Sequence, residues 1–322
     1  MNMRSRHVHV AVNLDRVRAA AEAIRQTTGV RLVAVVKSDA YGLGAVEVAA
    51  ALADVADEFA YFDLKEAREV GRPGVVLGPA EGEPAEYREL NLRPTVTNLQ
   101  EAERYAGLVV AVDVDTGMQR FGCAPEDLAT LLKHCHAEDI YTHAVQRPAA
   151  LMLRDVCRNT SQWLHAAATA LLDCPETWLD GVRPGLGLYR GAVRVAGRLH
   201  SVRRTVGGVG YTNFECSHVG IILAGYFNHV RPGPVVINGR RQRILEVGMN
   251  TSFVSVDPSD AAGDEVVLLG DGLTEAELAA HFGCREHEIL CRYCAMGQRV
   301  YQRVPAAAVA APPMRAVGSE SR

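Results

Sequence analysis

Lysine is scarce in this chain: of 34 basic residues only Lys37, Lys65 and Lys133 are lysine, and all the others are arginine. Long apolar runs are missing too. None approaches the roughly 20 residues that a helical membrane span needs. The opening Met1-Asn-Met-Arg-Ser-Arg6 leads into an alternating segment rather than the apolar core of a signal peptide. A cytoplasmic protein with no membrane partner is therefore expected. Positive charge is not in excess either. The formal net charge is −4 and no basic cluster is interleaved with aromatics, so no nucleic-acid partner is expected. Cysteine pairing is also lacking: eight cysteines are scattered through 322 residues, a chain too large to need disulfide staples, and reduced thiols are expected. His134-Cys135-His136 and Cys291-Arg-Tyr-Cys294 offer metal ligands, but neither has a second pair at zinc spacing, so no metal is expected.

What is present is a repeated unit. His7-Val-His-Val-Ala-Val12 alternates with period two and reads as a half-buried strand, after which Asn13 caps a helix carrying Leu14, Val17, Ala21 and Ile24 on one face. Short apolar strands then alternate with amphipathic helices. Strands are expected at 32–37, 59–62, 74–78, 94–97, 108–114, 139–145, 178–182 and 186–189, with helical stretches around 44–55, 64–70, 84–90, 98–106, 125–135 and 150–172. Strands nearly continuous in Val, Ile and Ala imply a parallel sheet buried on both faces. Eight of them imply an N-terminal (β/α)₈ TIM-type barrel. The rival, an open doubly wound sheet, would be expected to carry a G-x-G-x-x-G loop after its first strand, and there is none.

Beyond about residue 200 the texture changes to a mostly β domain. Asn238-Gly239 between two strands signals a tight hairpin, further strands are expected at 252–256, 265–269 and 288–294, and Thr274 with Glu277 suggests a capping box. The expected domains are 1–200 and 201–304, with the strand at 7–12 free to pair with the second, and a disordered tail at 305–322.

Lys37 sits where such a barrel would place its chemistry. It ends the run Leu32-Val-Ala-Val-Val36, at the C-terminal end of a barrel strand. An ammonium there is poorly solvated, which favours the neutral amine and Schiff-base chemistry. A lysine at a strand end can also simply snorkel into water. The residues immediately after Lys37 separate these two possibilities.

Val35-Val-Lys-Ser-Asp-Ala-Tyr-Gly-Leu-Gly44 resembles the cofactor-lysine segment of the alanine racemases, whose usual form is V-V-K-A-N-A-Y-G-H-G. Further matches occur in family order: Asp115-Thr-Gly-Met-Gln-Arg-Phe-Gly122, Tyr141-Thr-His143, Val182-Arg-Pro-Gly-Leu-Gly-Leu-Tyr189, Val209-Gly-Tyr211, Gly225-Tyr226, Ile237-Asn-Gly239 and Val247-Gly-Met-Asn250. The resemblance spans residue 7 to about 304. It implies pyridoxal 5'-phosphate as cofactor, a small-molecule amino-acid substrate, and a head-to-tail homodimer in which one chain's β domain completes the other's barrel site.

It also implies roles. Lys37 would hold the cofactor and act as one acid/base, Tyr211 of the partner would act as the other, and His143 and Arg183 would depress the Tyr211 phenol. Arg183 would face the cofactor's ring nitrogen and narrow the reaction to proton transfer. Tyr41, His165, Thr169, Gly185, Leu186 and His287 fall on cofactor-binding positions. Arg120 would hold the substrate carboxylate or the cofactor's phenolic oxygen, Met249 would help bind the carboxylate, and Tyr226 would narrow the entrance. The chain departs from the family pattern at several points. Asp113 stands where many members carbamylate a lysine, Ala168 and Thr169 replace an Asn-Ser pair, Asn250 replaces an aspartate, and His287 replaces a late tyrosine. Two other functions stay open: racemisation or epimerisation of a different amino acid, and cofactor binding with little or no turnover.

Overall fold

A computed structural model describes residues 5–302; residues 1–4 and the tail from 303, where disorder was expected from 305, lie outside the described residues. These residues form two compact units, one of residues 16–40 and 44–189, the other of residues 5–15, 41–43 and 190–302.

The opening strand β1 (Ser5–Asn13) belongs to the second unit. The first unit is a closed parallel barrel of eight strands in chain order: β2 (Arg31–Val35), β3 (Glu58–Tyr61), β4 (Gly74–Val76), β5 (Leu92–Val96), β6 (Val109–Asp113), β7 (His136–Ala144), β8 (Trp163–Ala167) and β9 (Gly181–Val182). Closure is made by β2 against β9, where Arg31 pairs with Gly181 and Leu32 with Val182. The expected (β/α)₈ barrel is thus the observed one. Helices between the strands use ordinary caps: Asp63 accepts from the Glu66 N–H and Asn98 from the Glu101 N–H.

Two barrel assignments are corrected. Leu186–Tyr189, expected as the last strand, is a short helix, and β8 lies inside the stretch expected to be helical from 150 to 172. The helix there ends early, at Arg147–Val156. Ala166 and Ala167 read as helix formers, but a gap between β7 and β9 needs a strand, and pairing of Asp139 with Trp163, Ile140 with Leu164 and Tyr141 with His165 overrides local preference.

In the second unit β10 (Val193–Arg204), β11 (His218–Ile222), β12 (Gly233–Ile237), β13 (Arg240–Val247), β14 (Ser252–Ser255), β15 (Glu265–Leu269) and β16 (Gly297–Gln302) join β1 in one sheet, ordered β11-β14-β13-β12-β15-β10-β1-β16. The Asn238-Gly239 hairpin connects β12 to β13 with φ of 48° and 74°, the positive pair that a type I′ turn requires. Thr274 caps the helix Glu275–Phe282 as expected, but Glu277 instead accepts from Arg241 Nη2 at 2.8 Å. The segment expected as a strand at 288–294 is the helix Glu286–Cys294. Ile289, Leu290, Tyr293 and Cys294 are buried at helical spacing, and Glu288 pairs with Arg292 one turn on.

Barrel strands approach closely at Gly74, where a Cβ would lie 2.0 Å from the Phe59 carbonyl oxygen. Gly74→Ala should therefore cost about 1–3 kcal/mol through overpacking, read as a lower urea midpoint with an unchanged denaturant slope.

Candidate active site

The chain leaves β2 by an unusual route. Ser38, Asp39 and Ala40 lie at φ/ψ of 55°/47°, 55°/44° and 51°/51°, and Tyr41 has φ of 59°, so four consecutive non-glycine residues form one left-handed turn. Each costs roughly 1–2 kcal/mol relative to the right-handed form. Specific bonds hold the turn: Ala40 N–H donates to Val36 O at 2.8 Å, and Ser38 N–H to Glu66 Oε1 at 2.6 Å. Asp39 accepts at its carbonyl from Gly44 N–H and at Oδ1 from Ala45 N–H, both at 2.9 Å. Glu66 also takes the Phe62 N–H at 2.8 Å, so one carboxylate ties the turn to the end of β3.

Lys37 begins this turn, with Nζ 5.9 Å from the centre of the Phe62 ring and no hydrogen bond or ion pair among the described residues. Burial, then the Arg120 cation, lower its pKa; Glu66 opposes them, and Arg183 adds a smaller push downward. A free amine is what this environment favours.

The groups around Lys37 come from neighbouring strands. His143 shares the inward face of β7 with Asp139 and Tyr141 by the two-residue period of a strand. Burial, followed by the charges of Arg183, Arg120 and Lys37, pushes its pKa down to about 4, so the imidazole is neutral near pH 7. Asp113 ends β6 opposite Tyr141. Burial pushes it up to about 7, against the pull of Arg183 and Arg120. Arg183 comes just after β9 and is only 4% exposed. Its Nη1 donates to His165 Nδ1 at 2.6 Å and to the His165 carbonyl at 2.9 Å, its Nη2 donates to the Thr142 carbonyl at 2.6 Å, and its guanidinium lies 4.6 Å over the Tyr141 ring. Among the described residues no hydrogen bond engages its Nε. Arg120 sits on a loop turned by Asp115, whose Oδ1 accepts from the Gly117 and Gln119 N–H groups at 2.8 and 3.1 Å. It is exposed and rests 5.1 Å over the Phe121 ring.

Beside these groups, Thr169 Oγ1 accepts from the Gly185 and Gly187 N–H groups at 3.3 and 3.0 Å, with Leu186 between them. A Cβ at Gly187 would press within 3.4 Å of that hydroxyl. Backbone donors converging beside a hydroxyl suit a phosphate, and an unengaged guanidinium Nε–H suits a ring nitrogen. With the unpaired Lys37 amine, this donor set fits pyridoxal phosphate. His165 is different: both of its ring nitrogens are occupied by protein groups, Nδ1 by Arg183 and Nε2 by Asp139.

The second unit gathers the remaining residues in two places. Tyr211 is 74% exposed, its N–H donates to Glu246 Oε2 at 2.7 Å, and its ring packs edge-on against Phe253. Gly225-Tyr226 and Gly248-Met249 are pinned together, with Tyr226 N–H on the Gly248 carbonyl at 3.0 Å and Phe227 N–H on the Met249 carbonyl at 3.1 Å. A Cβ on Gly225 would fall 2.2 Å from Gly248 O, and one on Gly248 would fall 2.9 Å from the Tyr211 hydroxyl. Tyr211, Tyr226 and Met249 therefore occupy one exposed patch. Tyr41 and His287 form the other grouping. Burial and the nearby Cys291 push the Tyr41 phenol up to about 12, and exposed His287 lies one turn ahead of Cys291 on the helix Glu286–Cys294.

Sequence reasoning missed Glu66, Asp139, Arg93 and Glu246. A charged residue at an inward position of an otherwise apolar strand, as in Leu92-Arg-Pro-Thr-Val96, was the available signal.

Two substitutions test the turn and the buried carboxylate. Ser38→Gly removes a side chain from an exposed left-handed position and should raise the urea midpoint by about 1 kcal/mol equivalent. Asp113, raised to about 7 when folded, stabilises the native chain fully below its ordinary value and loses that contribution as pH rises to about 7. Asp113→Asn should thus gain stability relative to the parent between about pH 4 and pH 8, as measured by urea melts across pH.

Family models bear on this arrangement. The alanine racemase N-terminal domain matches residues 12–193 and the alanine racemase C-terminal domain matches residues 204–302. The alanine racemase of Carboxydothermus hydrogenoformans is 30% identical over 366 aligned residues, covering 92% of this chain and 100% of that protein. The biosynthetic alanine racemase of Pseudomonas aeruginosa superposes with a TM-score of 0.82 at 26% identity, covering 93% of this chain and 100% of that one. The Bartonella henselae alanine racemase, crystallised with covalently bound pyridoxal phosphate, gives a TM-score of 0.84 at 20% identity over 92% and 100% of the two chains. Both domain models match in order along the chain, a relative 30% identical covers nearly all of it, and the chain belongs to the alanine racemase family.

Proposed function

We propose that this chain interconverts L- and D-alanine with pyridoxal phosphate, using one base from each face of the substrate and working as a head-to-tail homodimer. The observation that carries the proposal is the Lys37 amine. It is unpaired and pKa-lowered at the C-terminal end of a barrel strand, in the electrostatic company of Arg120 and Arg183.

Pyridoxal phosphate, when bound, supplies the electron sink that makes the α-proton of an amino acid removable. Thr169 with the Gly185, Leu186 and Gly187 backbone would hold the phosphate, Tyr41 would add its hydroxyl, and the Arg183 Nε–H would face the ring nitrogen. His287 is the residue available at the position of the family's late tyrosine. A guanidinium stays charged at all relevant pH, so it donates to that nitrogen without protonating it. Lys37 Nζ then takes or returns the α-proton on one face. Burial and two neighbouring cations keep its amine available for the exchange.

The other face needs a second group, and Tyr211 is proposed to reach it from the partner subunit. Its 74% exposure, together with that of Tyr226 and Met249 on the same patch, suits a surface completed by a second chain. A phenol ordinarily titrates near 10, and a neutral His143 imidazole beside Arg183 offers its O–H a hydrogen-bond acceptor. Exposed Arg120 has no carboxylate partner of its own among the described residues, which suits it to hold the substrate's. Asp113, adjacent in charge to Arg120 and Arg183, takes the place of the family's carbamylated lysine.

Complementation tests both the chemistry and the assembly. Lys37→Ala and Tyr211→Phe should each abolish racemisation in a chiral assay. A one-to-one mixture, unfolded and refolded together, should recover about one quarter of the parent activity, because half the dimers are hybrids with one intact site. No recovery from the mixture would exclude a shared site, and full activity of Lys37→Ala would exclude the mechanism.

A further inference from the structure

We propose that Asp139, whose two carboxylate oxygens are both taken by protein groups, is a positioning residue: it fixes the tautomer of His165, and through His165 the orientation of the Arg183 guanidinium. This role deepens the proposed function and rests on Arg183 being the group that faces the cofactor ring.

A guanidinium has no acceptor. His165 Nδ1, 2.6 Å from Arg183 Nη1, must therefore accept, and the imidazole carries its single proton on Nε2. That proton is donated to Asp139 Oδ2 at 2.8 Å. Asp139 Oδ1 in turn accepts from Arg93 Nε at 2.7 Å, so neither carboxylate oxygen has room for a proton and Asp139 is ionised. Arg93 closes the chain by donating Nη1 and Nη2 to the two oxygens of Glu58 at 2.5 and 2.6 Å. Only one arrangement of protons satisfies every link from Glu58 to Arg183. The side chains come from β3, β5, β7, β8 and the end of β9, and Asp139 and His165 have no solvent exposure.

The ring plane is fixed as well. Trp163 stacks on His165 with centroids 4.4 Å apart and planes 21° apart, and Arg31 lies 4.8 Å over the indole. Burial and the surrounding arginines hold His165 well below its ordinary pKa, in agreement with a neutral imidazole.

Asparagine at 139 cannot satisfy this chain. With its carbonyl oxygen toward Arg93, its amide N–H₂ meets His165 Nε2, which must then accept and shift its proton to Nδ1, against the Arg183 N–H. With the amide reversed, two donors meet at Arg93. The first arrangement is the expected one, because Arg93 is pinned by both oxygens of Glu58 whereas Arg183 Nη1 still has the His165 carbonyl to hold it, and in that arrangement the guanidinium loses the ring acceptor that aims it.

The experiment is ¹⁵N NMR of histidine-labelled protein without cofactor, with His165 assigned by its absence in His165→Gln. The parent chain should show a protonated Nε2 and an unprotonated Nδ1. Asp139→Asn should lose that pattern and, loaded with pyridoxal phosphate, should lose about 10–100-fold in kcat, the scale of a lost orienting partner, with KM for alanine changed less. A parent imidazolium or an Nδ1–H tautomer would overturn the inference even if the variant fails to fold. So would an Asp139→Asn chain with the parent tautomer and parent kcat. A tautomer change in a chain that never racemises alanine would instead sink the proposed function and leave the positioning role standing.

Discussion

One buried guanidinium with no carboxylate directly on it organises the barrel's interior. Arg183 bonds only to neutral acceptors among the described residues, the His165 ring and two carbonyl oxygens, while Asp113 and Asp139 act on it from further off. An arginine neutralised by a bidentate carboxylate would present little field. Held this way, its charge is felt by neighbours: it lowers Lys37 and His143 and opposes the upward push that burial gives Asp113. Burial is the larger influence on each of the three, and this one cation biases them all. The compensating negative charge is kept one residue away, on an aspartate that is itself neutralised by Arg93.

Strain is the second organising feature. Four residues in the left-handed region are tolerated after β2 because Glu66, Asp39 and the Val36 carbonyl over-determine the backbone there. Glu66, which acts on Lys37 through its charge, has both carboxylate oxygens taken by backbone N–H groups there.

Much of this was legible in the chain. Nearly continuous Val and Ala strands between amphipathic helices announced the parallel barrel, and Asn238-Gly239 announced its hairpin. Lys37, His143 and Arg183 were singled out because each lies in a short segment that keeps the family pattern, and Thr169 by its position alone, since the pattern around it has changed. What stayed hidden was non-local. Trp163-Leu-His-Ala-Ala167 carries no signal for a strand until β7 and β9 require one between them, and Leu186–Tyr189 is too short a run for periodicity to choose helix over strand. Asp139 and Arg93 are 46 residues apart, and nothing local to either announces that they meet inside the barrel. The helix at Glu286–Cys294 is different, since its buried positions keep a helical period that is present in the segment itself.

The placement of β1 bears on how the chain is made. Its hydrogen-bonding partners are β10 and β16, so β1 leaves the ribosome before the whole barrel, and for one edge before the rest of the second unit, and waits for them. During that interval its alternating Val8, Val10 and Val12 face water with both edges open, a template for unwanted pairing with other nascent chains. The charged and imidazole side chains interleaved with them, Arg6, His7 and His9, are the kind of interruption that discourages such pairing until the proper neighbours arrive.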